Sequence, residues 1–381
     1  MLTLNSSPSL FPGINTTTPK TQAIKYAGSK LKLLPHIISL LDGLEVQTIF
    51  DGFAGTTRVS QAFAQLGYRV ILSDISDWSY ILGMCYLQNR QPPSFYNELI
   101  EHLNAVKGYD GWFTKHYGGV VGEAGSAIQK DGDKKPWQAH NTRKLDAIRD
   151  EIDQLDLAEV ERAVALTSLM LAMDVVDSTL GHFSSYLKKW SSRSYRDMRL
   201  QVPRLFVNDK DNIVIQDDIF NATNIVEADF AYFDPPYGSN NEKMPPSRVR
   251  YASYYHLWTT IIKHDKPELF GKAGRRKDSS DRVAASVFEE FRKDDNGNYI
   301  AVNFIDKLIE SAKTRYVALS YSSGGRATAE QLNEVLTKHG KLIKTVELDY
   351  KKNVMADMKW SNEWSKDTCE PNREFIFLIE K

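Results

Sequence analysis

Short apolar runs on either side of a helix-like segment predict a strand–helix–strand unit near the start of the chain. Residues 47–51 (QTIFD) and 68–73 (YRVILS) have the composition of strands. Between them, residues 57–66 place their apolar side chains at the spacing of one helix face. A glycine-bearing turn joins the first strand to this helix, so the order is that of a βαβ unit, which implies a parallel sheet.

The long stretch from residue 78 to residue 212 lacks strand-like runs and predicts helices instead. One helix is expected to begin with Asn141 as its N-cap and to keep apolar residues on one face as far as residue 155. A second helix is expected over residues 157–176.

Strand-like runs return after this helical block. They lie at residues 213–216, 230–233, 316–320, 342–348 and 375–379, and the last two are placed to form an antiparallel edge. We therefore predict an α/β fold with a seven-stranded sheet, formed by residues 23–77 and 213–381. Residues 78–212 would be a mostly helical insertion, and residues 1–22, rich in Ser, Thr and Pro, a flexible lead-in.

Composition narrows the class of protein. The 381 residues are 42% hydrophobic and 25% charged, which excludes disordered and low-complexity chains. Two cysteines, Cys85 and Cys369, cannot form a disulfide scaffold or a four-cysteine zinc site, and we expect no metal. The longest apolar stretch, 163–176, is too short to span a bilayer, and the first residues lack a secretory signal. We therefore expect a cytoplasmic protein without membrane contact.

The turn after the first predicted strand has the features of a ligand-binding loop. Asp51 ends the strand, and small residues follow at 52, 54 and 55, so backbone N–H groups can approach a ligand at a helix N-terminus. Asp74 ends the second strand, where a carboxylate can accept hydrogen bonds from ribose hydroxyls. A structural turn with an unrelated Asp would give the same pattern, and the turn lacks the GxGxxG of dinucleotide sites.

A second motif, Asp-Pro-Pro-Tyr at 234–237, directly follows a predicted strand. An acid at the carboxyl end of a parallel strand lies on the binding edge of the sheet. The two prolines make the turn rigid and leave its carbonyls free to accept hydrogen bonds. Carboxylate, carbonyl and the Tyr237 ring together suit a planar group that carries an NH2. The alternative is a proline-rich turn that caps a buried strand.

Basic segments with interleaved aromatics indicate contact with nucleic acid. Residues 185–204 carry six basic side chains and one acid, and residues 244–282 carry nine basic side chains and four acids. Lys and Arg number 48 against 49 Asp and Glu, so binding would depend on such local patches. A solvated helix face is the alternative interpretation. The candidate DNA-binding residues are Lys188, Lys189, Arg193, Arg196, Arg199, Arg248, Arg250, Arg275, Arg276 and Lys277.

Taken together, the motifs resemble those of a known family. KYAGSK at 25–30, FDGFAGTT at 50–57, SDI at 73–75 and QDDI at 216–219, followed by DPPY, are similar in order to Dam-like, alpha-class N6-adenine-specific DNA methyltransferases. The chain departs from the usual family pattern at residue 52 and at residues 56–57. The resemblance implies a class I S-adenosylmethionine-dependent methyltransferase fold (Rossmann-like) and a target-recognition role for the insertion. It also implies double-stranded DNA as substrate, and two settings stay open: a restriction-modification system with a cognate restriction endonuclease as partner, or an orphan phage or bacterial enzyme.

The resemblance also implies roles for individual residues. The implied catalytic residues are Asp234, Pro235, Pro236, Tyr237 and Lys30. The implied cofactor-binding residues are Lys25, Tyr26, Ala27, Gly28, Asp51, Phe53, Ala54, Gly55, Thr56, Asp74, Ile75, Asp218 and Ile219. The adenine would be flipped out of the duplex and methylated by direct in-line transfer. Two alternatives remain: an RNA base methyltransferase and a catalytically silent DNA-binding module.

Overall fold

A seven-stranded sheet forms the centre of the computed structural model, which describes residues 18–239, 250–280, 283, 286–350 and 372–381. Its strands are β1 (Thr48–Asp51), β2 (Arg69–Asp74), β5 (Ile213–Gln216), β6 (Glu227–Phe233), β9 (Lys313–Ser322), β10 (Lys341–Tyr350) and β11 (Asn372–Glu380), in the order β10-β11-β9-β6-β1-β2-β5. Four short strands form two small pairs, β3 (Gly118–Gly119) with β4 (Trp137–Gln138), and β7 (Leu269–Phe270) with β8 (Arg275–Arg276).

The direction of the strands matches the prediction. β5, β2, β1, β6 and β9 run parallel to one another, whereas β11 pairs antiparallel with both β9 and β10. The seven predicted strands and the antiparallel edge are thus confirmed. β11 follows β9 and β10 in the chain but lies between them in the sheet.

Helices cover both faces of the sheet and form much of the insertion, which also contains β3 and β4 and has no α-helix after residue 175. They are α1 (Leu34–Ile38), α2 (Arg58–Gln65), α3 (Asp77–Leu87), α4 (Asn97–Ala105), α5 (Trp112–Tyr117), α6 (Ala139–Gln154), α7 (Glu159–Val175), α8 (Ile219–Ile225), α9 (Tyr251–Tyr254), α10 (His256–Lys263), α11 (Ile300–Ser311) and α12 (Ala329–His339). Apolar side chains of α1 and α2 pack on one face of the sheet, and those of α8, α11 and α12 pack on the other. No helix in the described ranges is both long and apolar enough to cross a membrane.

The helical block has its own core, which reaches beyond the predicted insertion. Its buried residues come from α3 to α7 and from residues 183–200, together with Ile24, Tyr255, Leu257, Trp258 and Ile261 from outside residues 78–212. α10 therefore packs with the insertion although it follows β6 in the chain. The boundaries of the two domains remain a prediction.

Two local predictions differ from the structure. α6 begins at Ala139 with Gln138 as its N-cap, so the prediction that Asn141 caps the helix was wrong. Asn141 instead holds the chain at 196–198, because its side chain donates to the Arg196 carbonyl and accepts from the Met198 N–H. In the predicted lead-in, residues 1–17 lie outside the described residues. The Gln22 N–H, however, bonds to the side chain of Gln61 in α2, so the lead-in is packed against the fold at that point.

Candidate active site

Three carboxylates meet at one edge of the sheet because three adjacent parallel strands end there. Asp51 ends β1, Asp74 ends β2 and Asp234 follows β6, and β1 lies between the other two strands. All three border one cavity of about 490 Å³. The carboxyl edge of a parallel sheet is where open α/β folds bind their ligands, so this cavity is the candidate active site.

The Asp-Pro-Pro-Tyr corner contains a compact ionic cluster. Lys30 Nζ lies 2.9 Å from Asp234 Oδ1 and donates to the Tyr237 hydroxyl at 2.5 Å. That hydroxyl in turn donates to Asp234 Oδ1 at 2.5 Å. Burial raises the pKa of Asp234, and the Lys30 ammonium and the Tyr237 hydroxyl oppose that increase. Lys30, only 7% exposed, therefore supplies the charge that keeps a buried acid able to ionise.

Tyr237 is held in this cluster and does not border the cavity, whereas Asp234 and Pro236 do. Its ring centroid lies 4.7 Å from that of Tyr321 and 4.8 Å from Lys30 Nζ. Pro235 is buried and does not border the cavity either. The flat face that the sequence predicts for stacking is thus not presented to the cavity in this conformation.

The turn after β1 is built from short backbone contacts. Gly55 N–H donates to Asp74 Oδ2 at 2.8 Å, and Ser76 N–H donates to Asp74 Oδ1, so this carboxylate ties the turn to the end of β2. Burial raises the pKa of Asp74. At Gly52 a Cβ would lie 2.6 Å from ring carbons of Phe233, which leaves room only for glycine. The departure from the family pattern at this position therefore follows from the large aromatic side chain beside it.

Asp51 presents an incomplete hydrogen-bond set. Its Oδ2 accepts from Ser60 Oγ at 2.6 Å, but Oδ1 is buried without a partner among the described residues. Burial raises the pKa of Asp51 to about 7. A buried acceptor beside a cavity is stabilised by a donor from a ligand, and most strongly by a cationic one.

Four aromatic residues, Tyr26, Trp78, Tyr251 and Tyr255, form an aromatic wall of the cavity. The ring of Tyr26 stacks on Tyr251 and Tyr255, with centroids 5.2 and 4.9 Å apart, and lies 5.4 Å from that of Trp78. The Tyr255 hydroxyl accepts from the Ala27 N–H at 2.6 Å, which fixes the KYAGSK segment to α9 and α10. Such a wall suits a flat heterocycle.

The comparison with known protein families agrees with this geometry. A family model described as D12 class N6 adenine-specific DNA methyltransferase matches residues 26–322. The chain belongs to this family. Its seven-stranded sheet with an antiparallel strand at position two is the class I methyltransferase fold (Rossmann-like) expected from the sequence.

Curated relatives of this D12 class chain are modification methylases. It is 28% identical over 331 residues to modification methylase StsI of Streptococcus sanguinis, covering 82% of this chain and 46% of that protein. It is 26% identical to the type II methyltransferase M.FokI of Planomicrobium okeanokoites, covering 94% of this chain and 53% of that protein. It is also 26% identical to the type II methyltransferase M.NlaIII of Neisseria lactamica, covering 94% of this chain and 99% of that protein. The chain thus spans about half the length of the first two relatives.

Most of the predicted cofactor residues border the cavity, and two do not. Those that do are Tyr26, Gly28, Asp51, Phe53, Ala54, Gly55, Thr56, Asp74, Ile75, Asp218 and Ile219. Asp218 is also the N-cap of α8, and Ile75 is 71% exposed. Lys25 does not fit the prediction, because its Nζ bonds to Asp177 at 2.5 Å and so ties the segment to the insertion. Ala27 contributes through its bond to Tyr255.

The predicted DNA-binding residues of the D12 class chain divide into two groups. Lys188, Lys189, Arg196 and Arg199 are exposed, and Lys277 is exposed but paired with Glu268. Arg193 bonds to Asp177, and Arg275 donates to the Ser279 carbonyl. Arg276 is buried between Asp265 and Asp278, and Arg250 is buried as well. Arg193, Arg275, Arg276 and Arg250 thus do not form the predicted basic surface, because the fold itself uses or covers their guanidinium groups. Arg248 lies outside the described residues.

Several site residues were missed by the sequence analysis. Tyr251 and Tyr255 form the aromatic wall, and Glu289 borders the cavity with its Oε1 lacking a partner in the described part of the chain. Burial raises the pKa of Glu289 to about 8. Glu374 Oε2 lies 3.4 Å from the Tyr237 hydroxyl. The described ranges hold no cluster of three or more His, Cys, Asp or Glu side chains suited to a metal ion.

Proposed function

We propose that this protein transfers a methyl group from S-adenosylmethionine to the exocyclic N6 amine of adenine in duplex DNA, at a specific sequence. The observation that carries the proposal is Asp234, a carboxylate only 17% exposed, on a rigid corner that shares one cavity with Asp51 and Asp74. Membership of the D12 class family supports the same reaction.

The residues present fit S-adenosylmethionine. The unpartnered Asp51 Oδ1 suits the ammonium group of an amino-acid moiety, and Asp74 beside the glycine turn suits ribose hydroxyls. Tyr26 and Ile219 offer apolar surface for an adenine ring. When bound, this cofactor supplies a methyl group that is already electrophilic, so the protein has to supply alignment and a reactive amine.

Asp234 would make the amine reactive. Its carboxylate would accept one amine hydrogen, which favours a tetrahedral nitrogen with its lone pair free. The Pro235 carbonyl, the second acceptor expected from the sequence, does not border the cavity in this conformation. A hydrogen bond to a charged group contributes about 1.5–3 kcal/mol, and correct orientation contributes several more. Both would offset the few kcal/mol needed to flip the base out of the duplex.

Residues 78–212 are proposed to carry target recognition. The support is the block of helices with its own core, with exposed Lys188, Lys189, Arg196 and Arg199 along one segment. Such side chains bind phosphates without reading sequence. Relatives named as modification methylases suggest a restriction-modification system with a cognate endonuclease, which would place the protein with DNA in the cytoplasm.

The test is transfer of labelled methyl groups from S-adenosylmethionine to duplex DNA, single-stranded DNA and RNA, followed by mass spectrometry of the nucleosides. N6-methyladenine in duplex DNA, absent with the Asp234→Ala variant, is the expected result. Modified RNA alone would favour the RNA methyltransferase, and DNA binding without transfer would favour the silent module. Sequencing with base-modification detection would then give the recognition site.

A further inference from the structure

Glu374 reaches the Asp-Pro-Pro-Tyr corner from the far end of the chain. It lies on β11, paired with Ser322 of β9 on one side and Leu348 of β10 on the other. Its side chain is 12% exposed, and its Oε2 lies 3.4 Å from the Tyr237 hydroxyl and 3.8 Å from Lys30 Nζ. Lys30 therefore faces two carboxylates, with Asp234 the nearer at 2.9 Å.

This arrangement raises a problem for the proposed reaction. Asp234 Oδ1 already accepts the Tyr237 hydroxyl and pairs with the Lys30 ammonium. An adenine amine that donates to Asp234 must compete with both. A buried ammonium and a buried hydroxyl can leave one acceptor at low free-energy cost only when a second acceptor is within reach.

Among the described residues, Glu374 is placed to be such a second acceptor. Charge-assisted N–H···O bonds are about 2.7–2.9 Å long, so a shift of about 1 Å would carry Lys30 from Asp234 to Glu374. Burial raises the pKa of Glu374, whereas the Lys30 ammonium opposes that increase. The ammonium thus favours the ionised form of whichever carboxylate it approaches.

We propose that Glu374 is a positioning residue that receives the Lys30 ammonium and the Tyr237 hydroxyl when the target amine occupies Asp234. This role rests on the proposed function. Glu374 does not border the cavity, so it would act without touching the base or the cofactor. It acts by leaving Asp234 available and by turning Tyr237 out of its present contact.

The test measures single-turnover methyl transfer to a duplex containing the recognition site. Glu374→Ala should lower the rate constant about 10- to 100-fold while the Kd for S-adenosylmethionine and for DNA changes less than threefold. Glu374→Gln keeps an acceptor for Tyr237 but not the charge for Lys30, so its loss should be smaller. The control is Glu380→Ala on the same strand, where the side chain pairs with exposed Arg315; it should leave the rate unchanged.

A double-mutant cycle separates this role from a structural one. In a Lys30→Met background the ammonium no longer needs a second acceptor, so Glu374→Ala should cost much less than in the native background. Equal losses in both backgrounds, or a native rate in Glu374→Gln and Glu374→Ala, would overturn the inference while leaving the methyltransferase function intact. If Glu374→Ala fails to fold, the cycle is run with Glu374→Gln. A native protein that methylates no adenine would overturn both proposals.

Discussion

Replacing Asp234 with Asn tests the corner most directly. The Asn side chain has nearly the size of Asp and keeps one acceptor oxygen. It lacks the negative charge of Asp234, whose Oδ1 lies 2.9 Å from Lys30 Nζ. Removing one partner of a buried ion pair destabilises a protein by about 3–5 kcal/mol. Glu374 remains 3.8 Å from the same ammonium and offsets part of that loss. We therefore expect the free energy of unfolding to fall by about 2–3 kcal/mol.

The Asp234→Asn variant should also transfer methyl groups more slowly, beyond any loss caused by partial unfolding. A hydrogen bond to a charged acceptor contributes about 1.5–3 kcal/mol, and each 1.36 kcal/mol is a factor of ten in rate. Loss of the Asp234 charge should thus slow single-turnover transfer by about 10- to 100-fold.

The assay follows labelled methyl transfer with enzyme in excess over duplex, at a temperature well below the melting midpoint of the variant. Calorimetric titration checks that cofactor affinity stays within a few fold. A native rate constant in Asp234→Asn would refute the argument that a charged acceptor activates the amine.

Three further predictions concern charge elsewhere in the fold. Lys188→Ala combined with Lys189→Ala should reduce the slope of log K against log salt for duplex binding by about 2, as measured by fluorescence anisotropy, and an unchanged slope would remove both residues from the interface. Arg276→Ala should instead lower the unfolding free energy by about 1.5–3 kcal/mol in urea titrations with the salt slope unchanged, since the 3% exposed guanidinium bonds two aspartates that are 39% and 56% exposed and stay hydrated without it; a lower slope with native stability would contradict this. Asp51→Asn should raise the melting temperature at pH 8 but not at pH 4. Because burial raises the pKa of Asp51 from 3.8 to about 7, the contribution of this group to stability is fully present below pH 3.8 and is lost as the pH rises through 7; an equal effect at both pH values would be inconsistent with a buried ionisable Asp51.

The sequence predicted the structure best where the residues that determine an element are close together in the chain. The two strands around the glycine turn, and the strand that leads into the Asp-Pro-Pro-Tyr motif, were predicted to within a few residues, because apolar runs and turn residues lie side by side in the chain. The meeting of Asp51, Asp74 and Asp234 followed from the parallel sheet alone.

Long-range partners could not be predicted in the same way. Glu374 is 137 residues from Tyr237, and only the register of β11 against β9 brings them together. Charge patterns likewise do not show where a guanidinium points. Arg276 and Lys277 are adjacent in a basic run, yet one is enclosed by aspartates and the other is exposed.

The place of β11 in the sheet has a consequence for biosynthesis. Since this strand enters between β9 and β10, a ribosome must release residue 374 before the ionic cluster around Lys30 has all its members. A nascent chain could fold its glycine turn and aromatic wall while still tethered. It would gain the second carboxylate only after β11 has left the ribosome and entered between β9 and β10, so the ionic cluster is completed later than the turn and the wall.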